Sequence, residues 1–269
     1  MGLMDKHFEV EPPLSDIVKH FYVIQTSADF EETIAHLSPN FEMMMIFNFS
    51  TAFKISYAAE PATEQVDRIT ILGPLKKMLN YQLLPDTDLL TIVFNLDGFY
   101  RLFQVTPDEI LVPDTFISDL WPILKRATPE ERVQILSDYI LSTTHAPEEG
   151  SIPLLEHAAY FNDPLIKPGK AIADDTNLSE RTIQLRFKKY VGYSPKEMLR
   201  FLRFKQVINS IEQSSNHEID WFDLIHDFGY HDQTHLIKDF NHFLGITPQT
   251  FIKQYFGKDF CTNKSGKRY

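Results

Sequence analysis

The stretch AIADDTNLSERTIQLRFKKYVGYSPKEM at residues 171–198, echoed by WFDLIHDFGYHDQTHLIKDFNHFLGITPQTF at residues 221–251, decides the fold of the C-terminal part of this chain. Each stretch holds a short amphipathic segment, a tight turn and a second amphipathic segment. Each second segment ends in an aromatic residue followed by Gly-x-Ser-Pro or Gly-x-Thr-Pro, and the two glycines lie 53 residues apart. Gly192 and Gly245 stand where a helix C-terminus takes a left-handed residue. Ser194-Pro195 and Thr247-Pro248 read as a cap followed by Pro at the first helical position. Two helices joined by a tight turn, used twice, suit the placing of two helices into successive major grooves of DNA.

In the first unit Asn177 occupies the turn, where its tolerance of positive φ is useful, and Ser179 caps the helix that follows. Ile183, Phe187 and Tyr190 share the core side of that helix. Arg181, Gln184, Leu185 and Lys188 point outward. Arg forks onto guanine, Gln pairs with adenine, and Leu meets only a thymine methyl. Lys188 and Lys189 suit phosphates. In the second unit Gly229 occupies the turn and Asp232 is the expected cap. Leu236, Phe240 and Phe243 turn inward, leaving Gln233, Thr234, Ile237, Lys238 and Asn241 outside. Between the units, PKEMLRFLRFKQVINSIE at 195–212 reads as a helix spanning roughly 27 Å, the right order to hold two heads about one DNA turn (~34 Å) apart. Arg200, Arg203 and Lys205 on this rod are further phosphate candidates. For any one of these helices the plain alternative is a solvated basic face; the repeat argues against it.

Charge is unevenly spread. The chain carries a net charge of −11. Residues 1–149 hold 10 Lys+Arg against 23 Asp+Glu, whereas residues 150–269 hold 16 against 14. Residues 179–205 alone hold 8 basic and 2 acidic side chains. Salt screens charges beyond about 10 Å, so this local field matters more to DNA phosphates than the total. The second unit is poorer: residues 217–253 hold 2 basic and 6 acidic side chains, with five of the ten histidines. Charging of those histidines near pH ~6.5 would offset the deficit, which predicts tighter DNA binding at lower pH. His231 and His235 have the i, i+4 spacing of a metal pair, but no Glu sits between them as in a zincin helix, and no metal is expected.

The N-terminal part, roughly 8–96, reads as β. Apolar runs at 17–26, 41–49, 52–58, 68–72, 78–84 and 88–95 are broken by SPN at 38–40, EPATEQ at 60–65, Gly73-Pro74 and PDTD at 85–88. From residue 97 the pattern turns helical. GFYRLF at 98–103 is an amphipathic turn or two, and Thr106-Pro107-Asp108-Glu109 resembles a helix start. PEERVQILSDYILS at 129–142 is capped by Thr128, with Glu131 three residues on. HAPEEGS at 145–151 is the expected domain boundary. After it, helices are expected near 152–162, 168–176, 179–190, 195–212, 219–227, 232–243 and 248–255. The predicted fold is therefore α+β in two domains. Residues 1–148 form a small β-barrel or sandwich with flanking helices. Residues 149–257 form an all-α, seven-helix domain with two helix-turn-helix units. Residues 258–269 are a basic tail expected to be disordered.

At this point the residues resemble a known family. IA at 172–173, LSERTIQLRF at 178–187, VGYSPKEML at 191–199, Arg203-Phe204, FGYHDQTHL at 228–236 and DFNHFLGITPQTF at 239–251 are similar to the DNA-binding domain of AraC/XylS-type bacterial transcription regulators. The resemblance implies a bipartite helix-turn-helix domain that regulates promoters, often by contacting RNA polymerase. The outward residues of helices 179–190 and 232–243 would then be the base readers. Three positions depart from the family: Leu185 stands where Arg is common, Ile225 where a small Ala is usual, and Asn241-His242 where basic residues are usual. More weakly, PPL at 12–14, Gly73-Pro74 and GFYRLFQVTPDEI at 98–110 resemble the small β-barrel sensor domains of such regulators. That implies a small-molecule effector or a homodimer contact in the N-terminal domain.

No enzyme is expected. Cys261 is the only cysteine and lies in the tail, so no disulfide framework, Cys-based zinc site or methyl-accepting repair chemistry fits. His7, His20, His36 and His145 are too scattered for a cupin metal site, and no phosphate loop or nucleophile elbow appears. No catalytic residue, metal or cofactor is assigned. Tyr22, Tyr57 and Tyr81, with Trp121 and the Met43–Met45 run, are candidates to line a ligand pocket; core packing is their plain alternative. No apolar run reaches the ~18 residues of a membrane span and no basic-plus-apolar leader opens the chain, so a cytoplasmic protein without membrane contact is expected. The rival reading is a ligand-binding or protein-interaction module whose helix-turn-helix domain has lost DNA affinity.

Overall fold

The computed structural model describes residues 2–61, 64–107, 119–161, 166–214 and 219–255. Among the described residues nine strands come first: β1 (Leu3–Glu9), β2 (Val18–Thr26), β3 (Thr33–Leu37), β4 (Met44–Asn48), β5 (Phe53–Tyr57), β6 (Glu64–Val66), β7 (Ile69–Leu72), β8 (Leu79–Leu83) and β9 (Asp88–Phe94). They form two antiparallel sheets, ordered β1-β2-β9-β4-β7 and β3-β8-β5-β6. Ten α-helices among the described residues follow: α1 (Gly98–Phe103), α2 (Trp121–Arg126), α3 (Pro129–Thr143), α4 (Ile152–Glu156), α5 (Pro168–Thr176), α6 (Glu180–Val191), α7 (Pro195–Gln213), α8 (Trp221–Asp227), α9 (Gln233–Phe243) and α10 (Pro248–Tyr255).

The strands of the five-stranded sheet are apolar on both faces, and both faces are covered. On β2, Tyr22 and Ile24 enter the core between the two sheets, with Met44 and Val93 of its neighbours and Phe53 and Leu83 from the other sheet. Phe21 and Val23 on the same strand face the opposite way. There they meet Phe99 and Leu102 of α1, Leu124 of α2, and Leu136 and Ile140 of α3. This explains the near-continuous apolar runs at 41–49 and 88–95: a strand buried on both faces loses its alternation. At the sheet's helical flank Arg132 is almost fully buried and forks onto Asp88, with both nitrogen–oxygen distances 2.7 Å. Its guanidinium lies 3.8 Å from the Phe49 ring centroid.

Six expected strands are present, each within a few residues of its predicted limits. Three were missed: β1, β3 and β6. Exposed charged residues (Lys6 and Glu9 in β1, Glu64 in β6) interrupt the apolar pattern there. The segment 60–65 was expected to break structure, yet β6 begins at Glu64. Helix α2 was also not anticipated. Thr128 and Glu131 cap α3 reciprocally, as expected. The helix start read at Thr106–Glu109 and the tail beyond 255 fall largely or wholly outside the described residues.

The helical region follows the expected order, with the first helix divided into α4 and a 3-10 turn at Ala158–Phe161. One apolar cluster joins Ile172, Ile183, Phe187, Phe204, Val207, Leu236, Phe240 and Phe251. The same cluster takes in Phe41, Met78 and Tyr100 from the N-terminal half. The two halves also share a backbone hydrogen bond, Met78 N–H to the Phe243 carbonyl at 2.7 Å. Both repeat glycines are left-handed, Gly192 at φ 78° and Gly245 at φ 72°. Both also lie against the sandwich, Gly192 beside Pro74 and Pro107 and Gly245 beside Ala58 and Ala59. A side chain at either position would therefore be strained and would also collide with the other domain.

Candidate nucleic-acid interface

Helix α6 starts at Ser179, whose side chain accepts from the Thr182 N–H at 3.1 Å. The turn before it carries Asn177 at φ 55°. Ile183, Phe187 and Tyr190 are buried, which fixes the roll of the helix and leaves Arg181, Gln184, Leu185 and Lys188 exposed. Leu185 is 62% exposed. Helix α9 starts at Asp232, which accepts from the His235 N–H at 2.8 Å, after a turn with Gly229 at φ 65°. Gln233, Thr234, Lys238 and Asn241 are exposed, and Ile237 is half-buried.

The remaining basic candidates are placed differently. Lys189 does not project freely from α6. Its Nζ lies 2.6 Å from Glu148 Oε2 and sits over the rings of Tyr100 and Tyr190. The Tyr100 and Tyr190 hydroxyls also donate to Glu148, at 2.6 and 2.7 Å. This clasp ties α6 to α1 of the sandwich through a residue of the connecting segment. Lys189 and the two hydroxyls hold the Glu148 carboxyl at a pKa of about 2, and Glu148 holds the Lys189 ammonium above its ordinary range. Replacing Glu148 with Gln is expected to release Lys189 towards phosphate. DNA affinity should rise severalfold for any sequence, and the slope of log affinity against log salt should steepen by about one. Unchanged affinity and slope in a titration of Glu148→Gln would remove Lys189 from the phosphate contacts.

Arg200 and Arg203 on α7 turn towards α9. Arg200 Nε donates to Asp239 Oδ1 at 2.7 Å, and Arg203 Nη2 to Asp239 Oδ2 at 3.3 Å. Tyr230 donates its hydroxyl to the same carboxylate at 3.0 Å; burial, and then the Asp239 charge, hold the phenol pKa well up. Arg203 Nη2 also donates to His235 Nε2 at 3.1 Å, and its guanidinium lies 4.3 Å from the Tyr230 ring centroid. Asp239 is fully buried. Sequence reading missed it; the available signal was an acid inside the apolar stripe of α9, between Leu236 and Phe240. Stacked and edge-on contacts of Phe204 with Phe243 and Phe240 complete the joint. Helices α7 and α9 are thus locked together by charge and packing. Lys205, the last phosphate candidate on the rod, lies instead along a cavity between the two halves.

The acids of the second unit have structural work. Asp220 caps α8, Asp232 caps α9, and Asp239 holds the joint. Of its histidines, His226 and His231 are exposed, each 3.3 Å from the neighbouring Asp227 or Asp232. His242 is held below its ordinary pKa by burial and then by the Arg200 charge; His217 lies outside the described residues. DNA affinity is expected to rise between pH ~7.5 and ~6. His242 acts oppositely on stability: the unfolded chain takes up its proton first as pH falls through about 6.5, so stability declines there. No pH dependence of binding in an anisotropy titration would end this account.

Tyr22, Tyr57 and Tyr81 all belong to the core between the sheets. Tyr22 is buried there, the other two pack at its margin, and burial with Glu64 and Glu60 pushes Tyr57 up to about 12. Trp121 stacks near Phe49 on the sheet's other flank. Among the described residues no three His, Cys, Asp or Glu side chains converge as a metal requires, and no helix is long and apolar enough to cross a membrane.

Residues 172–254 match a family described as a helix-turn-helix domain, and residues 6–112 match a domain of unknown function, DUF6597. Among solved structures, the AraC-like transcriptional activator CuxR is 10% identical over 75% of this chain and 86% of its own, with a TM-score of 0.28. An RmlC-like cupin protein from Desulfovibrio desulfuricans is 10% identical over 34% of this chain and 81% of its own, with a TM-score of 0.27. An oxalate decarboxylase variant from Bacillus subtilis is 11% identical over 72% of this chain and 37% of its own, with a TM-score of 0.29. Likenesses this low carry no functional argument. No curated protein matches the chain.

Proposed function

We propose, from a C-terminal unit that is a helix-turn-helix domain of the AraC type, that this chain is a transcription regulator that reads double-stranded DNA with α6 and α9. The observation that carries this reading is the twin set of exposed side chains on capped, rolled helices: Arg181, Gln184, Leu185 and Lys188 on one, Gln233, Thr234, Lys238 and Asn241 on the other. Both sets hold groups able to meet base edges, and α6 adds the positive field. The rod α7 has 19 residues, which is roughly 28 Å at 1.5 Å per residue, and supports contact with two successive grooves. The sandwich is proposed to regulate, through a small-molecule effector or self-association.

The test is selection of bound fragments from a random DNA pool, followed by a salt series on the winners. Enriched fragments should carry two short conserved blocks about one helical turn apart, with affinity falling steeply as salt rises. A pool that yields no enriched sequence and no salt-dependent binding would favour the rival, an interaction module without DNA affinity, for which the acidic second unit speaks.

A further inference from the structure

Asp97 lies between β9 and α1 and is 1% exposed. It stands at the N-cap of α1, where an Asp ordinarily accepts from the first free N–H groups. Here its side chain accepts no such bond. The Gly98 N–H is spent on the Asn95 carbonyl, and Gly98 itself is pressed against the Ile17 carbonyl. Among the described residues no donor reaches either carboxyl oxygen of Asp97. The polar group beside it is the hydroxyl of Ser151, at the start of α4. Ser151 is fully buried too, and its own proton goes to the Glu148 carbonyl at 3.1 Å. It therefore turns a lone pair, not a proton, to Asp97. A buried carboxylate without donors is costly, whereas a carboxylic acid beside that lone pair has a bond to make. The charges nearby do not rescue the ion. Arg101, one turn on, is turned to the His145 and Asp16 carbonyls at 3.0 and 3.5 Å. The Glu148 carboxylate is taken by Lys189 and by the hydroxyls of Tyr100 and Tyr190. Burial holds the Asp97 pKa above the ordinary carboxylate value, outweighing Ser151 and Arg101.

We infer that Asp97 is carried as the neutral acid and donates to Ser151 Oγ, completing a chain from Asp97 through Ser151 to Glu148 that pins the connecting segment to α1, and that its ionisation unpins that segment. The same segment is fastened to α1 by a reciprocal pair of bonds. Arg101 Nε donates to the His145 carbonyl at 3.0 Å, and the His145 N–H donates to the Arg101 carbonyl at 3.1 Å. The Tyr100 hydroxyl on Glu148 adds a third fastening. Of these bonds, the one from Asp97 is lost when a carboxyl group gives up its proton. Glu148 on this segment also holds Lys189 of α6, so unpinning the segment bears on how α6 meets DNA. Only that consequence rests on the regulator reading; the switch does not.

Difference infrared spectra of the full chain at pH ~6, where exposed carboxylates are ionised, should show a protonated-acid carbonyl stretch in the wild type that Asp97→Asn lacks. Ser151→Ala should shift that band, because the donor loses its acceptor, and raising the pH should bleach it. Denaturant titrations between pH ~5 and ~8 should find Asp97→Asn the more stable chain, since an amide donates where the acid does and never ionises. The folded pKa lies above the unfolded one, so wild-type stability falls as pH rises from the unfolded value towards the folded value. The gap should therefore widen by up to about tenfold in the folding constant per pH unit, then level once Asp97 ionises in the folded chain. Amide exchange at 145–151 should quicken with pH in the wild type beyond its intrinsic dependence, and should not do so in Asp97→Asn. No acid band, a gap that does not widen, or an Asp97→Asn chain less stable than the wild type overturns the inference. An acid band and a widening gap in a chain without affinity for any DNA would sink the regulator reading and leave the switch standing.

Discussion

Replacing Asp239 with Ala is expected to destabilise the chain by about 3–5 kcal/mol, the usual cost of removing one partner from a buried ion pair. Asp239 has no exposed surface, and three donors converge on it: Arg200, Arg203 and the Tyr230 hydroxyl. Without the carboxylate, two guanidinium groups stand together with their shared counter-charge gone, and the buried phenol loses its acceptor. Both arginines keep some access to water, at 37% and 26% exposure, which holds the loss to that range rather than beyond it. Asp239→Asn should recover part of the loss, because an amide oxygen still accepts while its charge is absent. Urea denaturation of both variants measures this as a lower midpoint at unchanged slope. A loss under about 1 kcal/mol for Asp239→Ala, the size of an ordinary substitution, would mean that the joint between α7 and α9 is held by its phenylalanines alone. The DNA readout should follow: with the joint loosened, the second head loses its fixed set, and affinity for a two-block site should fall towards that for a one-block site.

The second large effect is on sequence preference. Arg181→Ala and Gln184→Ala should each cost about 1–3 kcal/mol of discrimination between the selected site and its single-base variants, while binding to random DNA changes little. Lys188→Ala should weaken binding to all sequences alike and flatten the salt slope by about one. The contrast comes from what each side chain is able to recognise. Arg and Gln present paired donors and acceptors to base edges, whereas an ammonium answers only charge. Competition titrations against specific and random duplexes separate the two. Equal losses on both duplexes for Arg181→Ala and Lys188→Ala would contradict the division of labour on α6. Leu185 gives a finer check: its exposed side chain offers only a methyl contact, so Leu185→Ala should relax preference at a single thymine.

The sequence by itself determined the two kinds of architecture, the seven-helix order after residue 150, both turns, the caps at Ser179, Ser194 and Asp232, and which side of α6 and α9 is buried. These are local matters. A cap, a left-handed turn residue and a 3.6-residue apolar stripe act within a few positions of one another, so they are written in consecutive residues. Edge strands β1, β3 and β6 escaped because their burial depends on a neighbour far away in the chain. Only the tertiary structure decided which charges are spoken for. Lys189 met Glu148 across 41 positions, and Arg200 met Asp239 across 39. Lys205 came to face a cavity walled by residues from near both ends of the sandwich sequence. A charge's availability depends on what stands within a few ångströms of it. Spacing along the chain does not encode that distance once the chain has doubled back.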